Sequence, residues 1–225
     1  MNLKTSFIII IFLFSSYFFF GQNTKIGNWF IYFGNHKINN KCNWWNEIQY
    51  RNYNFVGDLQ QLLLRTGIGF NLNENNNLLL GYAFINSENY LQNSATKVGS
   101  LENRIYQQYI TRQNFGKIFI QHRYRVEERL FSEDFKLRFR YFLSLNIPIN
   151  NKSMSEKTIY LSTYNEVFIN YQKSNFDRNR FFSAIGYVIN KNFRIECGIM
   201  NQATESSSRN QFQIVIFNNL TFNKD

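Results

Sequence analysis

The sequence contains one proline, eleven glycines and two histidines among its 225 residues. So little proline and glycine excludes collagen-like chains and chains built from flexible linkers. A Walker-type phosphate loop is also missing from the sequence. Beyond the first apolar run, no segment approaches about 18 consecutive apolar residues, so the sequence predicts no later transmembrane helix. What remains is a chain of suitable length for one domain, with few groups suited to catalysis or metal binding.

Cysteine is equally scarce, with Cys42 and Cys197 as the only two. Both fall on the apolar phase of predicted strands that lie far apart in the chain. Such strands are not expected to be neighbours in an up-and-down sheet, and a disulfide needs Cα atoms within about 7 Å. Export would make a disulfide chemically possible. We expect two free thiols that behave as small apolar residues.

Aromatic residues and positive charge are abundant instead. Phe, Trp and Tyr make up 19% of the chain, which excludes a solvated, disordered polypeptide. The mean hydropathy of −0.38 would suit a soluble protein. Membrane barrels give similarly low values, because only alternate residues face lipid. The net charge of +10 is compatible with nucleic acid, anionic lipid or an anionic solute as partner.

The N-terminus, MNLKTSFIIIIFLFSSYFFFGQ, has the pattern of an export signal. Lys4 precedes an apolar run from Phe7 to Phe20, and the small residue Gly21 suits cleavage before Gln22. A retained membrane anchor is the alternative. No cysteine follows the run, which argues against a lipoprotein. We therefore predict a signal peptide at residues 1–21 and a single β-barrel domain at residues 22–225.

Period-two alternation recurs after residue 25, whereas helical periodicity is poor. Several candidate strands exceed the about five or six residues usual in soluble sheets, and about 9–11 residues cross a bilayer as a tilted strand. Bacterial outer-membrane barrels have even strand numbers, so we expect ten or twelve strands. The pattern predicts an all-β, antiparallel up-and-down barrel of about 10–12 transmembrane strands, of the outer-membrane type. The candidate strands are residues 26–34, 43–53, 59–72, 77–87, 101–112, 116–130, 135–149, 158–171, 179–190, 193–203 and 210–222.

The stretch KLRFRYFLSLNIPI, residues 136–149, illustrates the two faces. Phe139, Tyr141 and Leu143 lie on one side of the strand, and Arg138 and Arg140 lie on the other. Arginine falls mostly within the candidate strands, while lysine mostly marks turns and strand ends. Arginine is preferred over lysine for pairing with carboxylates that are partly shielded from water, because its guanidinium group can donate two parallel hydrogen bonds. We expect the apolar side to face lipid and the charged side to face the lumen. A soluble sandwich or lipocalin-like barrel with its charged side outward is the alternative.

Glutamates share the strand phase of these arginines, as Glu102 does with Arg104 and Glu127 with Arg125. We therefore expect an ion network inside the lumen. Its candidate members are Glu47, Arg51, Arg65, Glu102, Arg104, Arg123, Arg125, Glu127, Arg129, Arg138, Arg140, Glu166 and Arg180.

Motifs along nearly the whole mature chain resemble the domain of unknown function 2490 family. They include WNEIQYRNYN, QLLLRTGIGFNL, FIQHRYRVEERL, YNEVFIN and FDRNRFFSAIGYVI, of which the HRYRxEER and NExFxN blocks are the most specific. The resemblance implies an exported β-rich protein of the outer membrane or periplasm, of a kind found chiefly in Bacteroidetes. It implies no activity and no catalytic residues.

The remaining residues give little support for a catalytic site or a metal site. His122 has the apolar phase of its strand, His36 falls in a predicted turn, and no serine is placed beside either. Glu133 and Asp134 suit a solvated turn better than a metal site. We expect a protein that is not an enzyme and needs no cofactor or metal.

Three interpretations of function remain. The first is an outer-membrane barrel whose Arg/Glu lumen is mainly a structural ion network. The second is a narrow anion-preferring pore, and the third is a soluble periplasmic β-barrel that binds an apolar ligand. For the first, the expected partners are outer-membrane lipid and, during biogenesis, the barrel-assembly machinery, because the last candidate strand ends on Phe222. An exported chain is not expected to meet nucleic acid. The sequence does not determine an oligomeric state.

Overall fold

The computed structural model describes residues 26–92, 94–171 and 175–222. The predicted signal peptide and the last three residues lie outside this described part. The described residues form eleven strands: β1 (Gly27–Lys37), β2 (Cys42–Asn52), β3 (Leu59–Asn71), β4 (Asn76–Tyr90), β5 (Lys97–Phe115), β6 (Ile118–Leu130), β7 (Phe135–Pro148), β8 (Ile159–Asn170), β9 (Phe176–Val188), β10 (Phe193–Ala203) and β11 (Ser208–Asn218). No helix long and apolar enough to cross a membrane occurs among these residues.

The strands close into one barrel in which each pairs with its neighbours in sequence. All these pairs are antiparallel except the closing pair, β1 with β11, which is parallel from Gly27↔Gln211 to Gly34↔Asn218. An odd number of up-and-down strands requires this, because the first and last strands then run in the same direction. The predicted closed all-β barrel is confirmed. The expectation of an even strand count with antiparallel pairing throughout is wrong.

Alternate side chains of each strand point into and out of the barrel. In β7, Arg138 and Arg140 are buried in the lumen, while Phe139 and Tyr141 are exposed on the outside. The same division holds around the barrel, where exposed side chains include Ile68, Leu80 and Ile185. The charged side of the strands therefore lines the interior. This is the reverse of the soluble alternative, in which the charged side would face water.

The two cysteines lie on the outward phase of their strands. Cys197 is exposed, Cys42 is half-buried, and both are free thiols. The expectation of free thiols is confirmed.

Part of the lumen is filled by apolar side chains. One cluster surrounds Trp29 and Phe182, and a second surrounds Leu63 and Tyr106. Tyr106 lies flat over Gly81 of the paired strand, where a Cβ atom would come within 2.3 Å of its ring. The interior is thus a packed core of mixed polarity.

The connections alternate between the two ends of the barrel. We define the upper end by the connections at residues 38–41, 72–75, 116–117, 149–158 and 189–192. The lower end carries the β2–β3, β4–β5, β6–β7, β8–β9 and β10–β11 connections.

Candidate functional site: the arginine-lined lumen

Glu127 of β6 is the carboxylate on which most lumen charges converge. It is fully buried, and the strand register places it opposite Arg138 of β7, which donates to it through Nε at 3.0 Å. Arg140 donates to its other carboxylate oxygen. Three more guanidinium groups lie at 3.5–3.7 Å from this carboxylate, those of Arg65, Arg104 and Arg125.

Arg140 connects Glu127 to a second carboxylate. Its Nη2 donates to Glu166 Oε1 of β8 at 2.7 Å. Arg123 also donates to Glu166 Oε1 through Nη2, at 2.7 Å, and stacks over the Phe142 ring. The network therefore crosses β6, β7 and β8 without a break.

The remaining predicted glutamates join the same network. Glu47 accepts a hydrogen bond from Arg65 Nη1 at 2.6 Å, and Arg65 extends to Glu127. Glu102 accepts from Arg129 Nε at 2.6 Å and from Arg104 Nη2 at 2.9 Å. Because Arg104 also reaches Glu127, the four predicted glutamates belong to one connected network.

Two predicted members, Arg51 and Arg180, form no ion pair with a carboxylate among the described residues. Arg51 Nη1 donates to Gln61 at 2.7 Å, and the guanidinium lies 3.8 Å above the Trp29 ring. Arg180 donates to Gln202 at 2.9 Å. Glu47 and Arg51 share a side of β2 as predicted, but Gln49 lies between them and bonds to both.

Sequence reasoning missed other charged groups of the lumen. Asp177 pairs with Arg138 at 2.9 Å, although it precedes the strand predicted to begin at residue 179. Glu196 accepts a hydrogen bond from the Tyr160 hydroxyl at 2.9 Å. Arg112 and Arg194 line the upper lumen. Glu196 and Arg194 share the inward phase of β10, and that phase was the signal available for finding them.

A cavity of about 610 Å³ lies above the network. Its lining runs from Glu47, Arg65 and Glu166 up to Lys37 and Asn114, which are exposed at the upper end. Five network arginines among the described residues do not line it: Arg51, Arg104, Arg125, Arg129 and Arg138. Fully buried Tyr106 packs against Arg125, and fully buried Phe168 packs against Arg138. We call this cavity, which opens at the upper end and has the buried network beneath it, the cup.

The histidines lie apart from this cup. His122 is on the barrel exterior, as its phase predicted, with Nδ1 2.9 Å from the Tyr141 hydroxyl. His36 was expected in a turn, and this is wrong. It lies in β1 and is buried, with its ring packed against Trp44 and Phe222, because the residues after β11 fold back over the end of β1.

Acidic side chains of the described residues outside the lumen do not form a cluster either. In the β6–β7 connection, Asp134 pairs with Lys136 at 2.9 Å, and this hydrogen bond lowers the pKa of the Asp134 carboxyl. Within the described ranges, no three His, Cys, Asp or Glu side chains gather in a way that could hold a metal ion.

Comparison with known proteins places the chain in an uncharacterised group. A family model described as "Protein of unknown function (DUF2490)" matches residues 26–213, which run from the start of β1 into β11. No curated protein and no solved structure matches the chain.

Proposed function

The chain belongs to the DUF2490 family of proteins of unknown function, and we propose that it is an outer-membrane β-barrel whose Arg/Glu network is a structural plug. The resemblance of its motifs to a family expected chiefly in Bacteroidetes supports an exported protein. We further propose a non-catalytic role. Its partners would be outer-membrane lipid and, during biogenesis, the barrel-assembly machinery.

The observation that carries this proposal is the division of polarity across the barrel wall. Leu80 and Ile199 of the outer face are 61% and 57% exposed, whereas Glu127 inside is fully buried. Contiguous apolar surface of this extent is unfavourable in water and marks a membrane or protein contact. Membrane barrels place apolar residues outward and polar residues inward in this alternating way.

Location is tested by fractionating cells and comparing gel mobility before and after heating. We expect the protein in the outer-membrane fraction, soluble only in detergent, with a folded form that migrates differently until it is boiled. Release by osmotic shock as a detergent-free monomer would contradict the proposal and favour a soluble periplasmic barrel. The soluble alternative would bind an apolar ligand. The cavity lining argues against this, because it includes the charged and polar residues Arg123, Glu166 and Asn77.

An anion-preferring pore is the second candidate, and the excess of lumen arginines over nearby carboxylates favours it. Planar-bilayer recordings separate the two. A barrel closed by the network should show no single-channel steps. Reproducible steps with a reversal potential that indicates anion preference would replace the plug with the pore, while leaving the membrane location intact.

A further inference from the structure

The upper half of the cup differs in charge from the network below it. Arg112 and Arg194 both line the cavity, yet neither forms an ion pair with any described carboxylate. Arg112 Nε donates to Gln121 at 3.2 Å, which leaves its two terminal nitrogens available. Arg194 stacks 4.0 Å from the Phe217 ring, and its buried Nε has no hydrogen-bond partner in the described chain.

These two arginines stand on opposite walls. Arg112 is on β5 and Arg194 on β10, and in the ring of strands four lie between them on one side and five on the other. Both line the same cavity. Lys37 adds a third positive charge at the rim. One carboxylate, Glu196, lines the cavity on the same strand as Arg194, and its Oε1 accepts a hydrogen bond from the Tyr160 hydroxyl at 2.9 Å.

A ladder of amides lines the wall between the cations. Asn43 Nδ2 donates to Asn35 Oδ1 at 2.6 Å, and Asn77 Nδ2 donates to both Asn43 Oδ1 and Asn71 Oδ1 at 2.8 Å. All four asparagines line the cavity. Amides in such a row hold one another in place and present donors and acceptors that suit hydroxyl groups.

We propose that the upper cup binds a small hydroxylated organic anion, clamped between Arg112 and Arg194 with its hydroxyls on the asparagine ladder. Guanidinium groups bind carboxylate and phosphate through paired hydrogen bonds, so a sugar acid or a sugar phosphate has the required chemistry. The cavity, at about 610 Å³, falls within the range of small-molecule sites. This inference rests on the proposed function. If the network closes the lower end of the lumen, an anion can enter and leave the cavity only through the upper end, so the cavity is a binding site and not a passage.

Isothermal titration calorimetry on the full chain in detergent micelles tests this site. Glucose 6-phosphate and glucuronate are the anionic probes, and glucose is the neutral control. We expect saturable one-to-one binding of at least one anionic probe and none of glucose. The pair of anions shows whether phosphate or carboxylate is the preferred group. Absence of saturable binding by both anions would overturn the proposal, as would equal binding of glucose.

Variants then locate the binding. Arg112→Gln and Arg194→Gln should each raise the Kd on the order of tenfold or more, because each substitution removes a charged hydrogen-bond donor to the ligand. Lys191→Gln is the matched control, since it removes one positive charge from an exposed position at the same end, outside the cavity lining. It should change the Kd less than twofold. Equal losses in all three variants would mean a diffuse field and contradict a clamp.

Heat-shifted gel mobility checks that each variant is folded, and the wild-type comparison of anions with glucose does not depend on any variant. Failure of this site is distinguishable from failure of the proposed function. Binding in micelles is measured whatever the location of the protein, whereas fractionation and bilayer recordings decide location and closure without any ligand.

Discussion

At the scale of single residues, Arg140 shows why the lumen uses arginine. One guanidinium satisfies Glu127 through Nη1 and Glu166 through Nη2 and Nε, so its planar fork joins two strands. A lysine ammonium has no such fixed geometry. Burying these charges is costly, and the pairing offsets that cost only while every partner is present.

Replacing Arg140 with leucine should therefore lower the free energy of unfolding by about 3–5 kcal/mol, because two buried carboxylates lose a partner. Lys136→Leu in the same strand is the control, since Lys136 is nearly half exposed and, among the described residues, its one ion pair is with Asp134. It should cost less than about 1 kcal/mol. Urea unfolding in lipid vesicles measures both. Equal stability of the Arg140 variant and the wild type would rule out a cooperative lumen network.

A second residue-scale prediction concerns Gly81, over which the Tyr106 ring lies. Gly81→Ala should destabilise the barrel by about 1–3 kcal/mol, because the added methyl group displaces a fully buried ring. Gly99→Ala on the paired strand is the control, since its Cβ would meet only Glu88, at an ordinary 3.5 Å. The same unfolding measurement applies. If both substitutions cost the same, close packing of the Tyr106 ring on Gly81 is not what matters there.

At the scale of the strand, side-chain alternation decides which substitutions the barrel tolerates. β7 carries both of its arginines on even positions, and all of its odd positions are apolar or aromatic. A shift of one residue would exchange the two faces entirely. The register of β7 with β6 and β8 is therefore fixed by both the lumen charges and the outer apolar face.

Placing arginine at Leu143, near the middle of the outer face of β7, should cost about 2–4 kcal/mol if that face lies in lipid. The same substitution at Ile149, just beyond the strand end, should cost about 0–1 kcal/mol, as at a membrane interface. Refolding into lipid vesicles at graded urea concentrations measures the difference. An equally small cost at both positions would indicate that the outer face of β7 meets water.

At the scale of the whole molecule, we expect the parallel β1–β11 pair to be the weakest strand pair of the barrel. Its ladder runs from Gly27 to Gly34 of β1 and is followed by a single bridge, Lys37↔Thr221, whereas β4 and β5 pair from Asn76 to Tyr90 of β4. Parallel pairs are also slightly less stable per residue than antiparallel ones. Opening of the barrel should begin where the pairing is shortest and weakest.

Hydrogen exchange followed by mass spectrometry in micelles should thus show faster exchange in β1 and β11 than in the centres of β4 and β5. The comparison within one sample controls for detergent and pH. Exchange in β1 and β11 as slow as in β4 and β5 would contradict a weak β1–β11 pair. It would instead indicate that packing around Trp29 and Val215 compensates for the short ladder.

The sequence by itself determined where the strands lie and which of their sides is charged. Each of the eleven candidate strands corresponds to one in the structure, because period-two alternation is written in local sequence. The free thiols followed from the same alternation. The outward position of His122 also followed from this alternation. The burial of His36 did not, because Phe222, far along the chain, covers its ring.

Tertiary structure alone decided the partners of each charge and the way the barrel closes. Glu127 shares its strand with Arg123, Arg125 and Arg129, yet its closest contacts are with Arg138 and Arg140 of β7. Arg112 of β5 and Arg194 of β10 line one cavity only because eleven strands form a closed ring. Strand phase is a property of neighbouring residues. Register, strand count and contacts across the lumen depend instead on how distant segments pair, and no local pattern encodes that.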